Sequence, residues 1–200
     1  MFWQVHSEKT LYTAPRVAVR IADVELPDGR HLDHHLVRTA PAAGAVVTDE
    51  QDRVLLIWRH RFITDSWGWE IPLGEVDEGE MPQAAAAREV EQKTGWRPGL
   101  LRPLLAVQPV NGFSDALHHV YRAESATPAG PPADPWEADR IDWLPLSGIR
   151  KLIDNGDIVC GTTLSSLLYI LLDHLPDTGH EPTFDPTRPI LLRDIPGLQL

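Results

Sequence analysis

The stretch with the least structural freedom is residues 74–96, GEVDEGEMPQAAAAREVEQKTGW. It opens on Gly74 and an acidic loop, then turns helical. Pro82 near the start and Gly95 just past the end are the expected asymmetry of a helix, because Pro lacks the N–H that the first turn leaves unused and Gly accepts the left-handed cap. Ala84 to Ala87 favour helix and add little bulk, so this helix can lie close on a sheet. Residues three and four apart share a helix face, so Glu89, Gln92 and Lys93 present together. Glu91 lies about 200° around the helix from Glu89, on the other side.

The surrounding chain reads as strands with few helices. Residues 1–40 alternate apolar side chains at Val17, Val19 and Ile21, then at Val24 and Leu26. Pro27-Asp28-Gly29 supplies a hairpin turn. His31, His34 and His35 suit a solvated strand edge better than a metal cluster. Ala42 to Val47 and Val54 to Trp58 flank the polar turn DEQDR and read as a second hairpin, with Val54 to Ile57 buried on both faces. Arg59-His60-Arg61-Phe62 is a dense basic and aromatic patch. Of the next two tryptophans, Trp67 is equally suited to core packing or to stacking on a planar base, and Trp69 suits the core. Leu100–Val107 and His118–Ala123 read as strands around the turn-rich loop Gln108–Asp115.

Ala126–Pro135 is too rich in Pro and Gly for regular structure. Ile141–Pro145 reads as a short strand and Leu146–Asp154 as a helix. Thr162–Leu175 reads as a second long helix, apolar nearly all round and therefore well buried. The tail is expected to pack as an extended arm. This gives three units: N-terminal strands 1–40, a main domain 41–176 and an arm 177–200. The class is α/β, with a mixed β-sheet sandwiched between helices and extra N-terminal strands.

A formal net charge of -11 argues against a nucleic-acid or anionic-membrane surface. It leaves room for a phosphorylated small molecule held by a local cluster of Arg. Only three of the 18 basic residues are Lys, which makes Lys93 conspicuous. Cys160 is the only cysteine, so no internal disulfide or Cys-based metal site is possible, and a semi-buried thiol is expected. No apolar run approaches the roughly 20 residues of a membrane span. The N-terminus lacks a signal-peptide plan. A cytoplasmic protein is expected.

The spacing of Gly74, Glu80, Arg88, Glu89, Val90, Gly95 and Trp96 resembles the Nudix box, G-x5-E-x7-R-E-U-x-E-E-x-G-U, where U is bulky and apolar. The resemblance implies the Nudix fold and a pyrophosphohydrolase. It also implies a divalent ion, Mg2+ or Mn2+, which offsets the charge that shields a diphosphate from nucleophiles. The catalytic positions are Glu89, Gln92 and Lys93. Here the chain departs from the family, whose acidic pair is replaced by Gln92-Lys93. Gln92 offers only a neutral carbonyl. Lys93 puts an ammonium where a metal would sit, so it either swings away or acts as a built-in cation. Glu89, together with the more distant acids Glu70 and Glu137 or Asp139, is the remaining candidate metal set. Arg88 is expected to pair with Glu80 and shape the loop from Gly74.

Beyond the box the chain looks most like the ADP-ribose pyrophosphatase branch. ELPDGR, Arg59-His60-Arg61 before WEIPLG, and Pro109 carry that likeness. So does NGFSD up to Asp115, although Ala116 replaces an acid that often follows. By that likeness Arg59 and Arg61 hold phosphates, Trp67 stacks a base, Pro109 and Asp115 line the substrate site, and the N-terminal strands form a homodimer. The expected activity is cleavage of the diphosphate linkage of a nucleoside diphosphate derivative, ADP-ribose or nucleotide-sugar like, with weakened or unusual metal dependence. Gln92 and Lys93 leave two alternatives: a nucleotide-binding or regulatory module without hydrolysis, or altered chemistry on a phosphorylated metabolite with Lys93 on its phosphate.

Overall fold

The computed structural model describes residues 2–172. Its first three strands, β1 (Gln4–Ala14), β2 (Val17–Glu25) and β3 (His31–Thr39), form an antiparallel sheet of their own in that order. The Pro27-Asp28-Gly29 turn closes through the Leu26 amide on the Arg30 carbonyl at 2.8 Å, with Gly29 at φ 81°, where a side chain would be strained. Ala22 and Val24 are buried, whereas Phe2, Trp3, Val5, Leu11 and Tyr12 on or beside the outer strand are exposed. Arg38 on Asp115 at 3.3 Å and the Val37 amide on the Phe113 carbonyl at 2.9 Å tie this sheet to the rest.

The main body contains β4 (Ala42–Val47), β5 (Arg53–Arg61), β6 (Ser66–Glu70), β7 (Leu73–Glu75), α1 (Pro82–Thr94), β8 (Trp96–Pro98), β9 (Arg102–Val107), β10 (His118–Ala123), β11 (Ala126–Pro128), β12 (Arg140–Pro145), α2 (Ile149–Asp154) and α3 (Gly161–Leu172). One sheet runs β7-β4-β10-β9 and is mixed, because β10 pairs with β4 in parallel. A second runs β12-β5-β6, antiparallel throughout, and β8 pairs with β11.

Alternation along β4 and β5 builds two cores. Ala43, Ala45, Val47 and Leu55 pack with Ala85, Ala86 and Val90 of α1. Val46, Val54 and Leu56 pack with Trp69 and with Ile149, Leu167 and Ile170 of the other helices. Each such aliphatic side chain contributes about 1.5–3 kcal/mol when fully buried. The small residues on the α1 side let that helix come close to β4.

Three expectations need correction. Ala42–Val47 and Val54–Trp58 do not form a hairpin: after one bridge, Thr48 to Val54, they enter different sheets. Both strands are buried on both faces, so alternation could not say which neighbour each takes. The Pro/Gly-rich loop is not wholly irregular, since Ala126–Pro128 adds a short strand beside Trp96–Pro98. The last helix is not buried all round. Thr162, Thr163, Ser166 and Leu167 face inward, while Leu168 and Leu172 are exposed. Its expected continuation to Leu175 and the arm 177–200 lie outside the described residues. No described helix is long and apolar enough to cross a membrane.

Candidate active site

The site is built on α1 and the loop before it. Arg88 grips Glu80 with two parallel bonds, Nε to Oε1 at 2.9 Å and Nη2 to Oε2 at 2.8 Å. It also donates to the Glu75 carbonyl at 2.9 Å. Glu80 in turn accepts the Asp77 amide at 3.1 Å. The loop is thus folded around one guanidinium, and Arg88 holds the Glu80 carboxyl below its ordinary range despite some desolvation.

Glu89 points the other way, into the interior, and is 6% exposed. Its carboxylate lies directly against Gly74, where any Cβ would overlap it. Glycine at that position lets the carboxylate lie against the backbone, and any larger residue would push Glu89 aside. Arg88 Nη1 donates to Glu89 Oε1 at 2.5 Å, and Lys93 Nζ approaches Oε2 at 3.2 Å. Gln92 Oε1 accepts from Arg88 at 3.3 Å.

Lys93 does not swing away. Its ammonium is buried between Glu89 and Glu137 and donates to the Glu137 carboxylate. Glu137 arrives from 44 residues further along the chain. The Pro/Gly-rich loop brings it by capping the C-terminal end of α1, where carbonyls lack helical partners. The Ala133 amide bonds to the Gln92 carbonyl and the Ala129 amide to the Gly95 carbonyl, both at 2.8 Å. Gly95 takes the left-handed cap at φ 73°, and a Cβ there would strike the Gly130 carbonyl. Burial raises the Glu137 carboxyl, but Lys93 foremost, then Arg59 and Arg61, outweigh it and leave it below its ordinary value.

Two clefts flank this cluster. One, about 400 Å³, is lined by Arg59, His60, Trp67, Trp136, Glu137 and Asp139. Trp67 is half exposed and stacks on Trp58 at 6.2 Å between centroids and 17° between planes. Trp69 is buried. Arg59 Nη1 reaches Glu137 at 3.3 Å, while its buried Nε has no partner among the described residues. The other cleft, about 390 Å³, is lined by Arg16, Arg61, Gly74, Glu75 and His118 among others. Arg61 binds both Glu70 oxygens, with Nε at 2.8 Å from Oε1. Burial holds the His118 imidazole below its ordinary pKa, and His119 and Arg61 add to this.

The donors expected to hold a divalent ion do not fit one as they stand. Glu89 is engaged by Arg88 and Lys93, Glu137 by Lys93 and Arg59, and Glu70 by Arg61. A hard cation needs free carboxylate oxygens, and here an ammonium lies between two of them. Glu91, as its helix position implies, is outside the site and pairs with Arg97.

Pro109 and Asp115 do not join the cluster. Asp115 bonds to Arg38 and to the Thr39 amide at 3.0 Å, in a depression beside the N-terminal sheet, and Pro109 is exposed. Trp136 was not anticipated as a site residue. Its one signal is an aromatic side chain within a Pro/Gly/Ala/Asp stretch. His31, His34 and His35 do not converge either, since His34 bonds to the Gly112 carbonyl at 3.2 Å.

The NUDIX domain family model matches residues 38–159. The chain is 43% identical over 171 residues to the CMP-5'-(N-acetyl-N-hydroxy-3-aminopropyl)phosphonate hydrolase of Streptomyces rubellomurinus, covering 86% of this chain and 83% of that one. It is 28% identical to the ADP-ribose pyrophosphatase of Mycobacterium tuberculosis, covering 86% and 84%. Among solved structures, a crystal structure of an ADP compounds hydrolase superposes with a TM-score of 0.76 at 20% identity, covering 86% of this chain and 94% of that one.

Proposed function

This chain belongs to the Nudix family of hydrolases, and from that premise we propose that it cleaves a nucleotide from a second phosphorus group across a bridging oxygen. The class includes nucleoside diphosphate derivatives such as ADP-ribose and nucleotide-sugars, and nucleotides joined to a phosphonate. One observation carries the reading. An aromatic cleft with Trp67 and Trp136 and an arginine-bearing cleft with Arg61 flank one cluster, Lys93-Glu89-Glu137. The base stacks in the first cleft. Arg59 and Arg61 hold phosphate oxygens through charge-assisted hydrogen bonds.

Nudix hydrolases generally use divalent metal ions, Mg2+ or Mn2+ being the usual candidates. In this chain Lys93 supplies the fixed positive charge between the two carboxylates. The anionic substrate competes with Glu137 for Lys93 and Arg59. Once released, Glu137 takes a proton from water as the water oxygen bonds to one phosphorus. The bond from that phosphorus to the bridging oxygen breaks, and its electron pair leaves with the other phosphorus group. Glu80 and Arg88 shape the loop and do not touch the reacting atoms.

The test is a panel of nucleoside diphosphate sugars and nucleotidyl phosphonates, assayed with chelator and with added Mg2+ or Mn2+. Turnover that survives chelator, and that is lost in Glu137→Gln, supports the reading. The absence of turnover on every compound under every condition would sink it. Joint replacement Gln92→Glu and Lys93→Glu is expected to abolish metal-free turnover and to create dependence on Mg2+.

The assembly proposed with this activity is a homodimer through the N-terminal sheet. The exposed Trp3, Val5, Leu11 and Tyr12 on or beside β1 support it, since large apolar side chains exposed along one strand favour a partner. Light scattering of the intact chain distinguishes dimer from monomer. The acidic balance supports a small-molecule partner over nucleic acid or an anionic membrane surface, and a cytoplasmic location is proposed with it.

A further inference from the structure

The N-terminal sheet carries a group of side chains that the hydrolase site does not use. His6, Glu25 and His31 lie on three adjacent strands, and their ligand-type atoms all fall within 4.8 Å of one another. The register explains the meeting. Glu25 is the direct partner of His31 on β3 and of Gln4 on β1. The β1 register shifts between Val5 and Ser7, so His6 is the extra residue of a bulge. A bulge re-aims the side chain it carries, and here His6 Nε2 comes to 2.6 Å from Glu25 Oε2. His31 Nε2 stands 4.0 Å from that same oxygen.

A second observation points to a ligand. Asp23 Oδ1 lies 2.7 Å from His31 Nδ1. An ionised carboxylate only accepts, so in the neutral ring Nδ1 carries the hydrogen and Nε2 keeps its lone pair, while an ion bound here displaces the hydrogen that joins His6 Nε2 to Glu25. A carboxylate behind an imidazole whose other nitrogen is free is the usual support of a metal-ligating histidine. Asp33, the register partner of Asp23, adds further negative charge on this side of the sheet.

We propose that His6, Glu25 and His31 bind one divalent transition-metal ion of the zinc class, with Asp23 as the orienting residue. Two imidazoles and one carboxylate suit Zn2+, Co2+ or Ni2+ over Mg2+. Three protein ligands leave one tetrahedral position for water. Such an ion links β1, β2 and β3, as Glu8 of β1 already does through Arg20 and Arg38 at another point along the strand. The site shares no residue with the Lys93 cluster.

The experiment uses the untagged full chain, stripped with chelator. Zn2+ titration is followed by calorimetry, and Co2+ binding by visible absorption. One equivalent is expected to bind with micromolar affinity or tighter and to raise the thermal midpoint. His6→Ala and His31→Ala each weaken binding at least tenfold. Asp23→Asn, which keeps every ligand, weakens it by roughly tenfold. His34→Ala, whose ring bonds elsewhere, leaves it unchanged. No saturable binding at submillimolar Zn2+ overturns the proposal and leaves an ordinary ion-pair cluster. Binding that persists unaltered in His6→Ala and His31→Ala overturns it as well.

Discussion

The two cations of α1, Arg88 and Lys93, are five residues apart and do different jobs. Arg88 is partly exposed and pairs chiefly with Glu80, eight residues away within the same motif. Lys93 is buried and pairs with Glu89 one turn back and with Glu137 from a distant loop. The first arrangement is local and shapes a loop. The second depends on the whole fold and occupies the place where the reaction is expected. A guanidinium fork can satisfy a carboxylate at the surface, whereas a buried ammonium persists only when carboxylates surround it.

The sharpest way to break this contrast is Lys93→Ala. It leaves the buried Glu89 with Arg88 as its remaining cation; removal of one partner from a buried pair costs about 3–5 kcal/mol, and Arg88 keeps the loss at the lower end of that range. Urea unfolding should show that loss, with metal-free turnover lost at the same time. A stability change near zero would mean that Glu89 is not compensated by Lys93.

Gly74→Ala comes next. The new Cβ falls on the Glu89 carboxylate and forces it off Lys93. Overpacking of this kind costs about 1–3 kcal/mol, and turnover should fall more than stability does.

Arg88→Ala tests the other cation. Hydrogen bonds to a charged group contribute about 1.5–3 kcal/mol when sheltered, but this pair is partly solvent-screened, so a loss of about 1 kcal/mol is expected. A loss as large as that of Lys93→Ala would erase the distinction between the two ends.

The smallest effect is in acid. Glu80 and Glu137 both have carboxyls held below the ordinary value. Their unfolded forms bind protons first, so the stability they contribute is complete above the ordinary carboxylate range and is lost as pH falls through the lower folded values. Unfolding measured from pH 7 downward should show this decline, and Glu137→Gln should make it shallower.

Much of the site was legible in residue order. Glu89, Gln92 and Lys93 share a face because helical geometry places residues three and four apart together. Arg88 meets Glu80 because a short loop cannot carry them far apart. The place of Asp115 was not legible, because its carboxylate bonds to Arg38 from a sheet formed by other strands. The sheets that β4 and β5 join were not legible, because strands buried on both faces carry no sign of which sheet they enter.

The sequence by itself determined the helix, its glycine at Gly74, its cap at Gly95 and the anomaly of a lysine on its functional face. Those features follow from local sterics and periodicity. Only the tertiary structure decided what the lysine does. Lys93 stays in the site because the Pro/Gly-rich loop docks on the open carbonyls of α1 and brings Glu137 against it. The same holds for His6 and His31, which meet Glu25 only through strand register and a bulge. Contacts between distant segments depend on how elements pack, and packing is a property of the assembled core.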